Sequence, residues 1–417
     1  MSGGVRNRVW RSIFRHGFPG NERLRSEAIT DNLFLHVHPV KVYRETLEFP
    51  KTLGLGLISF YLFVILSITG VLLMFYYVPY VDRAYQDMKD LQFVVSLGMI
   101  IRNMHRWSAH AMIVAVFLHM CRVYYTASYR EPREFNWVLG VFLLLITLFL
   151  SLTGYLLPWD QLAYWAITIV SNLIGVAPLV GKKIRYMVLG GTIVGQNALI
   201  RFYVMHVIVL PFLALLLILV HFWRIRKDGG LARKDEAAEA AEEREGDPQG
   251  EELKSYGLMN LVEGKTPHVG QDPDRMVTAW PNLLVREATL FLIVMVVIMA
   301  MSVLFDAPLE EMANFAITPN PAKAPWYFVG LQELLSWGNP IYGGILAPMA
   351  AVLALLFVPY LDRGQTGTAE WFHPSRRRAV IVFTAITVVT IVLIFIGEFM
   401  RGPNWHLYWP WQKWPIH

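Results

Sequence analysis

Hydrophobic residues dominate seven stretches of this chain, at about 54–78, 98–126, 136–158, 198–224, 284–305, 343–360 and 379–399. Each approaches or exceeds the roughly 20 residues that an α-helix needs to cross a bilayer, the stretch at 343–360 being the shortest. Backbone groups in hydrocarbon must be bonded within their own segment, so the pattern predicts an all-α membrane protein with about seven transmembrane helices. Between the fourth and fifth stretches the composition changes to Lys-Asp-Gly-Gly, an Ala/Glu/Arg run and Gly-Asp-Pro, which reads as a solvated linker. The expected division is a cytoplasmic N-terminal segment 1–53, a four-helix half 54–226, a charged linker 227–255 and a three-helix half 256–417. The segments 159–197 and 306–342 are long and rich in Pro, Trp and Asn, as functional loops often are.

Composition supports a lipid-facing surface. Of 417 residues, 55% are apolar and 17% charged, against roughly a quarter charged in soluble domains. Arginines and lysines gather at the N-terminus (Arg6, Arg8, Arg11, Arg15, Arg23, Arg25) and in alternate loops (Arg130 and Arg133; Arg224 to Lys234; Arg363 and Arg376 to Arg378). Lys182, Lys183 and Arg185 depart from that bias. Positive residues favour the cytoplasmic side, which predicts a membrane protein with its N-terminus inside and its C-terminus outside. The basic N-terminus lacks the apolar core and cleavage site of a secretory signal, and in so apolar a chain it anchors at a membrane rather than binding nucleic acid. Trp405, Trp409, Trp411 and Trp414 suit an interfacial belt. The lone cysteine, Cys121, excludes a disulfide framework and an iron–sulfur cluster held by this chain alone.

The chemistry is carried by histidine. His105 and His119 lie fourteen residues apart in the second stretch, and His206 and His221 fifteen apart in the fourth. Either spacing keeps both side chains near one helix face, about 21–22 Å apart along the axis. The two helices are separated by one crossing and run parallel, so His105 pairs in depth with His206, and His119 with His221. A single intramembrane histidine is usually a satisfied polar residue, but two level-matched pairs are what two bis-histidine haems require. His110 has no partner at its level. His36, His38, His268, His373, His406 and His417 fall in loops or termini, and all seven are read as non-ligands. Gly56 and Gly70, and Gly140 and Gly154, repeat the fourteen-residue interval, giving room for a macrocycle or for close helix packing. Arg102 and Arg122 stand three residues from His105 and His119; they either snorkel to the interface or pair with haem propionates.

Together with the four glycines, Arg102-x-x-His105, His119-x-x-Arg122, Leu157-Pro158-Trp159-Asp160-Gln161, Tyr164-Trp165-Ala166 and Arg201-Phe202-Tyr203-x-x-His206 resemble cytochrome b of quinol–cytochrome c reductases, over residues 30 to 400 or so. The resemblance implies a dimeric transmembrane bundle with two b haems, partnered by a Rieske iron–sulfur protein and a c-type cytochrome. It implies quinol oxidation at the outer side, with one electron going to the Rieske cluster and the other crossing the membrane through the two haems, coupled to proton translocation. The fifteen-residue interval and the seven helices resemble the plastoquinol-oxidising (b6-type) branch, here with its two split halves fused. That branch attaches a further haem through a cysteine before the first helix, and none stands there in this chain, so no covalent haem is expected. The family's outer quinol signature, Pro-Glu-Trp-Tyr, appears as Ala324-Pro325-Trp326-Tyr327. Trp326 and Tyr327 match, Pro325 replaces the proton-accepting glutamate, and Glu333 is either a substitute acceptor or a solvated residue. The departure resembles chains that use menaquinol. Arg226 and Asp31 are candidates for the inner quinone site, or ordinary interfacial charges. Ala166 stands where strobilurin-sensitive relatives carry glycine. Two other readings stay open from the residues: a dihaem anchor for a dehydrogenase or hydrogenase that does not bifurcate electrons, and a haem-free transporter relaying protons through histidines.

Overall fold

The computed structural model describes residues 12, 19–32, 35–228, 230–232, 276–364 and 366–414. Most of the linker 227–255, the arginines of the first 18 positions, His268 and His417 lie outside these residues. In chain order the helices are α1 (Glu22–Thr30), α2 (Leu55–Met74), α3 (Ala84–Phe93), α4 (Gly98–Tyr125), α5 (Glu134–Leu156), α6 (Gln161–Val176), α7 (Gly181–Leu189), α8 (Gln196–Lys227), α9 (Ala279–Leu304), α10 (Trp326–Ser336), α11 (Ile341–Leu361) and α12 (Pro374–Met400). A short antiparallel ribbon joins β1 (Lys41–Tyr43) to β2 (Met276–Thr278), with Val42 opposite Val277.

Among the described residues six helices, α2, α5, α8, α9, α11 and α12, are long and apolar enough to cross a membrane. The seventh expected stretch is α4. It has 28 residues, but Arg102, Arg106, Arg122 and three histidines make it too polar to count by apolarity. The six apolar helices turn Leu, Ile, Val and Phe outward, including Ile68, Leu216, Val296 and Ile386. This is the inverse of a water-soluble surface and marks a multi-pass membrane protein.

Helix α2 packs on α4 and α5 on α8, while α9 closes over α4. Leu62, Met112, Ile146, Ala214 and Ile298 fill the space between these helices. The two long loops 159–197 and 306–342 are knitted by the Leu157–Gln161 string. Pro158 cannot continue α5; Trp159 adopts φ 54°, and the Asp160 carboxylate then caps α6 by accepting from Ala163 N at 2.9 Å. Gln161 donates to Ile317 O and accepts from Asn314 N, both at 2.6 Å. The string is therefore scaffolding that binds these two loops together. At the opposite end Asp362 accepts from Arg130 Nη2 and Tyr129 Oη, each at 2.5 Å, and from Arg376 Nη2 at 3.2 Å. This buried cluster ties the α4–α5 turn to the α11–α12 loop.

Candidate functional site

The four histidines and four glycines form two tiers. A methyl group built at Gly70 would lie 3.2 Å from His105 Cε1, and one at Gly154 would lie 2.5 Å from His206 Cε1. One at Gly56 would lie 3.2 Å from His119 Cε1, and one at Gly140 would lie 3.7 Å from His221 Cε1. Each glycine on α2 or α5 thus backs one imidazole on α4 or α8. Any side chain at Gly154 would push the imidazole aside. The His105 and His206 ring centroids stand 6.1 Å apart at 76°. Two metal–imidazole bonds of about 2 Å plus half the width of each ring add to roughly that separation.

The unequal histidine spacings have a structural cause. Met205–Val209 of α8 is a π-turn that contains His206. Pro211 lacks the N–H that would bond back to the carbonyl of Val207, so the ladder widens there. A π-turn absorbs one additional residue, and the fifteen-residue interval on α8 becomes equivalent to fourteen on α4.

Hydrogen bonds set the tautomers of the His105–His206 pair. Thr69 Oγ1 donates to Ile65 O at 2.7 Å and faces His105 Nδ1 at 2.9 Å. Its hydrogen is committed, so it accepts from Nδ1–H. His206 Nδ1 lies 3.0 Å from Leu150 O, which can only accept, and 3.3 Å from Thr153 Oγ1. Both imidazoles are left with an unshared Nε2 lone pair, the state a metal needs. The sequence reading passed over Thr69 and Thr153, although the Thr-Gly pair repeated in the first and third hydrophobic stretches was a visible signal. In the His119–His221 pair, the Nδ1 atoms are buried without a hydrogen bond of good geometry among the described residues.

Arg102 and Arg122 do not snorkel: they are 7% and 3% exposed. Arg102 donates to Ala307 O and Pro308 O at 2.8 Å and to Gln92 at 3.2 Å, and Arg122 to Lys51 O and Leu231 O. Among the described residues these partners are all neutral, and a buried guanidinium fits an anion better. The glycine-backed imidazoles, the committed Nδ1 atoms and these arginines together suit two planar iron macrocycles bearing carboxylates. Cys121 is buried within α4.

The residues of the expected quinol site come together in part. Pro325 is the N-cap of α10. The Trp326 indole Nε1–H points to His110 Nδ1 at 2.7 Å, and Tyr327 packs edge-on against the same imidazole. His110 is thus engaged by a residue more than two hundred positions away. Glu333 is not solvated, which corrects that one of its two readings. It is 0% exposed and accepts from Arg401 Nη2 at 2.6 Å and Nε at 2.8 Å, from Trp337 Nε1 at 2.7 Å and from Trp405 Nε1 at 3.1 Å. Burial pushes its carboxyl up, but the Arg401, Trp337 and Trp405 donors outweigh burial and hold it below the ordinary carboxylate value. A carboxylate held ionised in this way is a poor proton acceptor. At the other end of the bundle, His38 Nε2 lies 2.9 Å from Glu287 Oε2, with Arg226 close enough to act on its charge. Asp31 caps α1. The sequence reading dismissed His38 as a loop residue.

Two family descriptions match the chain: "Cytochrome b/b6/petB" over residues 44–229 and "Cytochrome b(C-terminal)/b6/petD" over residues 312–409. Cytochrome b6 of Heliomicrobium gestii is 42% identical over 192 residues, covering 46% of this chain and 88% of that protein. Cytochrome b6 of Tupiella akineta is 40% identical over 210 residues, covering 50% and 94%. A solved chain described as "Hyperthermophilic respiratory Complex III" shares the fold, with a TM-score of 0.68 at 23% identity over 94% of this chain and 88% of that one. With both halves matched and most of a cytochrome b6 aligned, the chain belongs to the cytochrome b family of bc-type complexes, in a form that joins the b6 half and the C-terminal half in one polypeptide.

Proposed function

We propose that this dihaem cytochrome b oxidises menaquinol at its outer face beside Trp326 and Tyr327 and serves quinone reduction at its cytoplasmic face. The complex contains a Rieske iron–sulfur protein and a c-type cytochrome and is a homodimer. The observation that carries this reading is the pair of tiers in which each imidazole is backed by its own glycine. Two non-covalent haem b groups, when bound, supply one-electron carriers at two depths of the membrane. His105 and His206 hold the outer group and His119 and His221 the inner one. Arg102 and Arg122 meet carboxylates at the two ends.

Helix α4 is the seventh crossing, which gives four helices before the linker and three after it. At about 1.5 Å per residue it spans some 42 Å, more than the hydrocarbon core. Its polar residues Arg102, Asn103 and Arg122 are buried in the bundle rather than turned to lipid. The N-terminus is cytoplasmic and the C-terminus outside, in a bacterial inner membrane. Mixing the oxidised complex with a menaquinol analogue tests the function. Reduction of a b-type chromophore together with a Rieske centre is expected; a b-type signal with no Rieske centre in the purified complex would favour the non-bifurcating anchor.

The inner quinone site lies at the His38–Glu287 contact, with Arg226 nearby. The hydrogen bond to Glu287 raises the His38 pKa, against burial and the Arg226 charge. A group whose folded value is raised stabilises fully below its unfolded value, and that contribution is lost as pH rises through the folded value. The melting temperature of the complex is therefore expected to fall as pH rises through and above the ordinary imidazole range. His38→Gln should flatten that slope, and equal slopes in both proteins would remove the contact from the account. Strobilurin-like inhibitors are expected to bind poorly, because the buried Ala166 methyl on α6 occupies room they need. Ala166→Gly should tighten inhibition by roughly tenfold, the scale of one lost methyl clash; tight inhibition of the unaltered protein would contradict this.

A further inference from the structure

We propose that Arg106 and His110 on α4 together bind an oxygen of the quinone head group, with Trp326 fixing the tautomer that makes His110 a donor. This rests on the reading that places quinol oxidation beside Trp326 and Tyr327. The Trp326 Nε1–H lies 2.7 Å from His110 Nδ1, with the two rings 21° from parallel. On the far side of the imidazole, Arg106 Nε–H lies 3.0 Å from His110 Nε2. Indole and guanidinium N–H groups only donate, and a neutral imidazole has one accepting nitrogen. The two contacts therefore cannot both be hydrogen bonds. The shorter one assigns the lone pair to Nδ1 and the hydrogen to Nε2. His110 Nε2–H and Arg106 Nε–H then face one another with no acceptor between them.

Protonating His110 does not relieve this, because it sets a new donor against Trp326. An oxygen with two lone pairs does, by accepting from both N–H groups at once. The surroundings suit a flat ring bearing such an oxygen. Tyr327 packs against His110 with centroids 6.1 Å apart, and the Arg106 guanidinium lies over the Tyr155 ring at 5.1 Å. Glu333 cannot supply the missing acceptor, since Arg401, Trp337 and Trp405 together fill the acceptor positions of both its oxygens.

The purified complex with His110→Ala tests this, using a short-chain menaquinol analogue for kinetics and its carbon-labelled quinone for infrared spectra. The expected result is a KM raised roughly tenfold or more, the scale of one charge-assisted hydrogen bond, with a smaller change in kcat. The downshift of the bound quinone carbonyl stretch should shrink, since Arg106 alone still donates, and the haem spectrum should not change. His110→Gln, whose amide can donate, should recover part of the affinity. An unchanged KM and carbonyl stretch in His110→Ala, alongside impaired oxidation in Trp326→Phe, would overturn the proposal and leave the outer site where it is placed. If neither substitution affects oxidation, the placement of the outer site falls with it.

Discussion

His221→Ala is expected to lower the haem content from two per chain to one, with the outer haem surviving. Removing His221 leaves His119 as a single ligand at the inner tier, beside an Arg122 whose positive charge is buried. The outer tier does not depend on that residue. His105 is fixed by Thr69, and His206 by Leu150 and Thr153, about 21–22 Å away along the helices. A Cβ at Gly154 meets His206 at 2.5 Å, so Gly154→Val should do the converse and remove the outer haem alone. Optical difference spectra of the purified variants separate the two cases. A His221→Ala protein with both haems intact would refute the ligand assignment.

Arg401→Ala should be the most damaging change outside the haem tiers. The Glu333 carboxylate has no exposure of its own, and the Arg401 side chain is 18% exposed. Without Arg401 the carboxylate keeps only the indole donors of Trp337 and Trp405. Breaking a buried pair on one side costs about 3–5 kcal/mol, so a large loss of assembled complex is expected. Quinol oxidation should fall further than haem content, because Glu333 sits on α10 with Trp326 and Tyr327. Arg401→Lys should restore little, since an ammonium cannot bridge both carboxylate oxygens. The double change Glu333→Leu with Arg401→Leu should recover much of the stability, because removing both charges removes the desolvation cost. Purification yield and thermal unfolding measure both effects. If Arg401→Ala accumulated and melted like the unaltered protein, the ion pair would not be what anchors α10 to the C-terminal segment.

What could be read before the fold was known followed from local repetition. The apolar stretches correspond to helices because lipid rewards hydrophobicity without regard to sequence-distant neighbours. Helix α4 was legible even though its charges lower its apolarity, because His105 and His119 keep helical phase. The paired glycines were legible through a shared interval, and the structure sharpens their role by setting each one behind a single imidazole. The extra residue between His206 and His221 was visible, but its reason was not. It required recognising that Pro211 opens a π-turn at Met205–Val209. Contacts across long sequence distances were out of reach. Glu333 reads as solvated or as an acceptor because Arg401 and Trp405 follow about 70 residues later, and His110 reads as partnerless because Trp326 lies on another helix. His38 was set aside for the same reason, since Glu287 stands on α9. Residues of this kind acquire their chemistry from the tertiary fold, and no local spacing announces it.

The central claim is that imidazoles at two depths each grip an iron porphyrin from both sides. Near-infrared magnetic circular dichroism of the purified oxidised complex, combined with a haem count per chain, tests it most directly. Expected are two haem b groups per cytochrome b chain, both low-spin and both with the signature of paired imidazole ligands. A single haem, a high-spin centre, or a histidine–methionine signature would contradict it.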